Sequence, residues 1–118
     1  VLALRDSHAL RPLVVGVREG KKQKEFAIAS EDPALTALDF KSLGDVKPGE
    51  AVWVSTAGKI SRQQVVSQKW SPCIFEYVYL ARPDSVMDGV SVYAARLRMG
   101  EYLAEKIKQQ VFDAKNNK

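Results

Sequence analysis

The stretch "CIFEYVYLARPDSVMDGVSVYAARLRMG", Cys73–Gly100, decides how the rest of the chain is read. Its first eight residues are almost all apolar or aromatic, which predicts the last strand of a sheet. Alternate residues of a strand face opposite sides. Phe75, Tyr77 and Tyr79 would then form an aromatic stripe, and Glu76 would share a face with Ile74, Val78 and Leu80. A carboxylate on an apolar face must be paired or hydrogen-bonded, so Glu76 reads as a tether. Pro83 fixes φ and ends the strand, and Asp84 and Ser85 can bond nearby backbone amides. The stretch "RPDSVMDG" reads as a linker. From Ser91 the spacing changes: Val92, Met99, Leu103, Ile107 and Val111 recur on a helical period, with Ser91 as the cap.

Working outward, "VLAL" is a short strand and "RDSHALRP" a turn held by Pro12. "LVVGVR" and "EFAIAS" flank the basic run "REGKKQK", Arg18–Lys24, and predict a hairpin. "SEDPALTALDF" predicts a short helix capped by Ser30, with Pro33 in its first turn. "DVKPGEAVWVS" is a strand after a Pro48-Gly49 turn in which Gly49 can take positive φ. "AGK" then turns into "ISRQQVV", giving a second hairpin. The tail "DAKNNK" is polar and expected to fray. About six strands, one small helix and one long C-terminal helix make an α+β fold in which one sheet face needs cover.

Bulk properties narrow the function classes. A chain of 118 residues is one ordinary domain at most, and 46% hydrophobic content is enough for a core. The net charge of +4 is spread out, and the one dense basic run reads as a solvated hairpin tip. No basic face interleaved with aromatics predicts nucleic-acid binding. The single cysteine cannot close an internal disulfide and points to an intracellular setting. No apolar run approaches the ~20 residues of a membrane span, and no signal peptide is apparent. The chain opens directly on an apolar strand without methionine, so it reads as an excerpt of a longer protein.

Four motifs in order carry a more specific reading: "RDSHALRPLVVG", "IASEDPAL", "DVKPGEAVWV" and the Cys73–Gly100 stretch. Together they resemble the amidophosphoribosyltransferase family over nearly the whole chain, to about Gln110. The run FEYVYxARPDS is the specific one. The R-D-x-x-x-x-R-P-L pattern is broader and is also similar to asparagine synthetase glutaminase domains. The resemblance implies an N-terminal glutaminase domain of the Ntn-hydrolase type, layered αββα. A phosphoribosyltransferase domain follows and uses magnesium. Residues 1–85 would be the late glutaminase domain, and residues 86–118 the linker and opening helix of the transferase domain. It further implies a cytoplasmic, homo-oligomeric enzyme, with glutamine and phosphoribosylpyrophosphate as substrates and purine nucleotides as inhibitors. The family's nucleophile is an N-terminal cysteine, which this chain does not contain. The 118 residues alone are therefore expected to be inactive, the competing reading being a stand-alone, non-catalytic interaction domain.

The same resemblance colours individual residues. Cys73 is a structural iron–sulfur ligand in some members, an inert buried thiol in others; a cluster needs four thiolates, so the inert thiol is favoured over ligand or nucleophile. Tyr79, with Glu76 beside it, would wall the ammonia path at the meeting of two domains, or simply pack there. Arg82, a planar fork suited to phosphate, would lie near the nucleotide-responsive region, or bridge to Asp84. Arg5, Asp6 and Arg11 would form a salt-bridged turn, or support the glutaminase pocket from behind. The family's R-D-P-x-G-x-R-P-L is altered here to Ser7 and Ala9. If the glycine position needs positive φ, Ala9 costs about 1 kcal/mol or forces a different turn. His8 reads as a surface residue, and Arg96 and Arg98 as a solvated helix face.

Overall fold

The structure, a computed structural model, describes residues 1–116. Two three-stranded antiparallel sheets stack with a short helix on one of them. The first sheet has the order β1-β5-β6, from Leu2–Leu4, Glu50–Val54 and Ile60–Gln64. The second has the order β3-β2-β4, from Lys24–Ala29, Val14–Glu19 and Lys41–Asp45. Both expected hairpins form: Val14–Glu19 pairs with Lys24–Ala29 around the basic tip, and Glu50–Val54 pairs with Ile60–Gln64 around Gly58. Gly49 has φ +72, as its turn requires.

β2 shows why the layers stack in this order. Val15 is fully buried and packs with Val46 and Val52, and Leu13, Ile28 and Ile60 close around them. That cluster joins the two sheets. The neighbouring Gly16 faces the other way, where a Cβ would come within 3.0 Å of Leu35 and Phe40. Leu35 belongs to α1, Asp32–Thr36, and is buried against this side of β2. The side-chain-free position lets helix and sheet approach closely. Glu31 rather than Ser30 occupies the cap position of α1, without a side-chain cap bond; Pro33 does sit in its first turn.

Two expectations are overturned. Residues 41–45 form β4, which the sequence reading passed over; it carries a register shift against β2 between Val14 and Gly16. The run Cys73–Leu80 is not a strand. Glu76–Leu80 is a π-helical turn, closed by Ala81 N–H donating to Glu76 O at 2.9 Å. A short apolar run has no period that separates strand from helix, and here packing decides. Tyr77 and Ala81, four apart, are the buried pair, joined by Met87 and Val92 with Ala95 and Met99 alongside. The aromatic stripe therefore dissolves: Tyr77 is buried, whereas Phe75 and Tyr79 are exposed.

The expected linker is also structured. Val86–Met87 (β7) and Val90–Ser91 (β8) form a small hairpin around Asp88 and Gly89. α2 follows as Val92–Asn116, and Ser91 Oγ accepts from Ala94 N–H at 3.3 Å, as its capping role predicts. Val92 and Met99 of the helical stripe reach the small core; Leu103, Ile107 and Val111 are exposed. The helix projects from the sheets, so the molecule measures 74 × 32 × 16 Å. The frayed-tail expectation meets helix as far as Asn116, and residues 117–118 lie outside the described residues.

Candidate functional site

The densest polar construction in the molecule lies where the sheets meet the β7–β8 hairpin and α2. It is centred on Arg5, which leaves β1 with its backbone N–H bonded to Glu50 O at 3.1 Å. The side chain is 3% exposed for the residue as a whole, so its donors need protein partners. Nε donates to Arg11 O at 2.9 Å and Nη1 to Val46 O at 2.8 Å. Nη1 and Nη2 also grip the two carboxylate oxygens of Asp88, at 2.6 and 2.9 Å. This is the fork-on-fork geometry that suits guanidinium and carboxylate.

Asp88 is presented by the hairpin tip. It has φ +48 and Gly89 has φ +75, the paired left-handed conformation of a two-residue Asp-Gly turn. Its N–H donates to Asp45 Oδ2 at 3.1 Å. Burial, then the nearby Asp88 charge, push the Asp45 carboxyl above its ordinary value, although Arg5 pulls the other way. For Arg5, burial alone would weaken the charged form. The bond to Asp88 and the charges of Asp88, Asp45 and Asp6 outweigh it, and its pKa is raised.

The loop after Arg5 is organised by Asp6, whose carboxylate accepts from His8 N–H at 2.9 Å and Leu10 N–H at 3.0 Å. Ala9 is buried with φ +56, so the chain keeps a left-handed residue at the place where the resemblance has glycine. The loop carbonyls of Ser7 and His8 hold the Lys69 and Ser71 amides at 2.7 and 2.8 Å. Arg11 then pairs with Glu76 on the π-helical turn. Arg5, Asp6 and Arg11 thus form no salt bridge with one another, contrary to the turn expected of them. Each instead reaches a different partner.

Glu76 is a tether, as expected of a buried carboxylate, and Arg11 is what it is tied to. Tyr77 reaches the hairpin by donating its hydroxyl to Met87 O at 3.2 Å. Burial, followed by the Asp88 charge, raises the Tyr77 pKa. Arg96 is not on a solvated face: Nε donates to Tyr77 O at 2.7 Å and Nη2 to Ala81 O at 2.8 Å. It caps the carbonyl end of the π-helical turn from α2, while Arg98 is exposed as expected.

A second clasp comes from α1. Glu31 Oε2 accepts from Arg82 N–H at 2.8 Å and from the buried Ser85 hydroxyl at 2.7 Å. Asp32 Oδ1 accepts from Val86 N–H at 3.2 Å. The side chain of Arg82 lies outside, held by Asp84 at 3.0 and 2.8 Å. That pairing raises the Arg82 pKa and lowers that of Asp84. An anion at Arg82 would have to displace Asp84 from the fork.

The other singled-out residues stand apart from this cluster. Tyr79 is 78% exposed on the outer side of the π-helical turn. Cys73 is a free, partly exposed thiol, and the chain holds no other cysteine to complete a cluster. His8 is exposed, its Nδ1 3.2 Å from Ser7 Oγ. Among the described residues no group of three or more His, Cys, Asp or Glu is gathered to hold a metal ion, so the residues present do not fit a magnesium site. Between Arg5, Ala9, Tyr77 and Asp88 there is a crevice of about 10 Å³, room for no more than a water. Among the described residues no helix is long and apolar enough to cross a membrane.

Sequence reasoning missed Asp45, Asp88, Glu31 and Asp32. One signal was available: Asp88-Gly89, flanked directly by the apolar Met87 and Val90, is a strong short hairpin signature. Nothing local marks Asp45, since its role comes from contacts across 43 positions.

The stacked sheets with a C-terminal helix resemble a segment of known transferases in both sequence and backbone. The relatives are amidophosphoribosyltransferases. The chain is 54% identical to that of Pseudomonas aeruginosa over 91% of its own length and 22% of the relative's. It is 46% identical to that of Escherichia coli, over 93% and 22% respectively. Among solved structures, the glutamine phosphoribosylpyrophosphate amidotransferase of B. subtilis, complexed with ADP and GMP, superposes with a TM-score of 0.72 at 34% identity, over 85% of this chain and 21% of that one. One described as the allosteric regulatory enzyme of purine biosynthesis gives 0.76 at 32% identity, over 89% and 22%. No protein-family model matches. The resemblance carried by the motifs is borne out: this chain corresponds to a segment of the amidophosphoribosyltransferases, spanning about a fifth of their length.

Proposed function

We propose that this chain works as part of an amidophosphoribosyltransferase, which transfers glutamine-derived ammonia to phosphoribosylpyrophosphate at the entry to purine biosynthesis. Residues 1–85 supply the late part of a glutaminase domain of the Ntn-hydrolase type, and residues 86–118 the lead into the phosphoribosyltransferase domain. The observation that carries this reading is the combined agreement of sequence and backbone with those transferases. The helix-on-sheet-on-sheet stack is consistent with three layers of an αββα arrangement. On this reading residues 1–118 do not catalyse alone, because the cysteine nucleophile is supplied from elsewhere in the enzyme.

The segment's own residues then act by positioning. Arg5, with Asp6 and Arg11, stiffens the loop behind the glutamine pocket. Tyr79, exposed beside the Glu76 tether, is free to wall the ammonia path against the rest of the enzyme. Arg82 offers a phosphate contact once Asp84 is displaced. Cys73 acts as an inert thiol rather than a cluster ligand. Magnesium, the purine-nucleotide inhibitors and the homo-oligomeric, cytoplasmic state belong to the whole enzyme.

The test is to isolate the native polypeptide that contains this segment, determine its intact mass, and assay pyrophosphate release from phosphoribosylpyrophosphate with glutamine. A protein of roughly domain-pair size, larger than ~250 residues, with glutamine-dependent release is expected. Release no faster than without enzyme would refute the proposal.

A further inference from the structure

Four groups around the joint form a closed ring. The Arg5 guanidinium holds the Asp88 carboxylate, and the Asp88 N–H bonds the Asp45 carboxylate. Asp45 is followed by Val46, whose carbonyl returns to Arg5 Nη1 at 2.8 Å. Two carboxylates therefore flank one buried cation, but only Asp88 is bonded to it. Asp45 is occupied by the amide of its rival. The remaining charged neighbours are Asp6 on the Arg5 side and Asp32 on the Asp45 side, both acidic. No second cation of the described residues competes for Asp45; Arg62 reaches only its backbone carbonyl, at 3.1 Å.

Release of the β7–β8 hairpin frees both carboxylate partners at once. Asp88 leaves Arg5, and its departing N–H leaves Asp45 without a donor. A buried guanidinium without a counter-charge is costly, and so is an unsatisfied carboxylate. The two orphans are neighbours. From this geometry we infer that Asp45 is a reserve partner for Arg5: when the hairpin opens, Arg5 exchanges Asp88 for Asp45, and the hairpin and α2 detach without unravelling the loop at Asp6–Pro12. The joint is thus a two-state clasp. This inference does not depend on the chemistry of the surrounding enzyme.

The experiment is hydrogen exchange, read by mass spectrometry in the native polypeptide, as a double-mutant cycle of Asp88→Asn and Asp45→Asn. Asparagine keeps each side chain's shape and its tolerance of the turn, and removes the charge. Peptides from the hairpin (86–92) and from the loop (6–12) are followed together. With a reserve partner present, D88N speeds hairpin exchange by about tenfold and leaves loop exchange near wild type. D45N slows hairpin exchange, because the open state has lost its stabilising pair. The double variant releases both regions, with loop exchange faster than in either single variant by about tenfold or more. The inference is overturned if D88N alone exposes the loop as fully as the double variant, or if D45N leaves hairpin exchange unchanged. Should the double variant fail to fold, D88N alone decides: loop exchange that speeds up together with hairpin exchange overturns the inference.

Discussion

Arg5 and Asp88 lie 83 positions apart and meet through two hydrogen bonds of 2.6 and 2.9 Å. The pair ties the first strand of the sheets to the hairpin that launches the long helix. Arg5 is the costlier half to lose, because its removal leaves Asp88 and Asp45 facing each other with no cation between them. Arg5→Met is expected to destabilise by about 3–5 kcal/mol, as breaking a buried pair on one side does. Arg5→Lys should recover only part of this, because an ammonium cannot serve Arg11 O, Val46 O and both Asp88 oxygens from one plane. Urea unfolding of the three proteins checks this, and a loss below about 1 kcal/mol for R5M would show that the clasp is not a stabilising element.

Asp45 behaves in the opposite sense. Its folded pKa is raised by burial first and by Asp88 second, so the folded state holds its proton more tightly than the unfolded chain does. Its contribution to stability is favourable in acid and is lost as pH rises from the ordinary carboxyl value through the raised one. Asp45→Asn removes that loss and keeps an oxygen for the Asp88 amide. D45N should be more stable than the parent at neutral pH, and the gap should close as pH falls toward about 4. Denaturation curves at several pH values measure it. A gap that widens in acid would reverse the assignment.

The α+β architecture was legible because hairpins announce themselves locally: alternating residues, a basic tip, and glycines where φ turns positive. The long helix was equally plain from its period and from Ser91. What could not be read was anything fixed by partners far away. "CIFEYVYL" has strand-forming composition, yet Arg11 on Glu76, and Tyr77 packed against Met87, hold it in a helical turn. Arg96 sits among solvent-like neighbours in sequence but serves carbonyls 15 and 19 positions back. The singled-out Arg5 and Glu76 proved central to the joint for reasons of pairing, whereas Tyr79 and Arg82 point outward, where only the remainder of a larger assembly would give them work.

Ala9 tests how a left-handed position is tolerated. At φ +56 an alanine carries about 1–2 kcal/mol of strain. Replacing it with glycine relieves that strain, but adds unfolded-state freedom of about 0.4–1 kcal/mol and removes a buried methyl group worth about 0.8 kcal/mol. The opposing effects nearly cancel, so Ala9→Gly should change stability by less than about 1 kcal/mol. Ala9→Val should cost well over ~2 kcal/mol, since a β-branched side chain neither adopts this φ nor fits the buried site. Thermal melts of both variants check the contrast, and equal melting temperatures would mean that the loop refolds around the substitution.

Arg96 offers the cleanest separation of helix attachment from helix formation. Its two donors reach Tyr77 O and Ala81 O, which are among the carbonyls a helical turn leaves free at its end. Arg96→Ala strands both in a partly buried setting while keeping a good helix former in place. Hydrogen bonds to a charged group contribute about 1.5–3 kcal/mol net when buried, and less where water can replace them as at this part-buried site, so a loss of about 2–3 kcal/mol is expected for the two together. Arg98→Ala, two residues along and exposed, makes no such bonds and should be neutral. Circular dichroism should show the same helix content in both variants, since α2 itself is untouched. The difference should instead appear as faster hydrogen exchange at Ala81, whose amide closes the π-helical turn on Glu76. If R96A and R98A were indistinguishable at that amide, the π-helical turn would have to be held by Arg11 and Tyr77 alone, and α2 would be an attachment that the joint does not need.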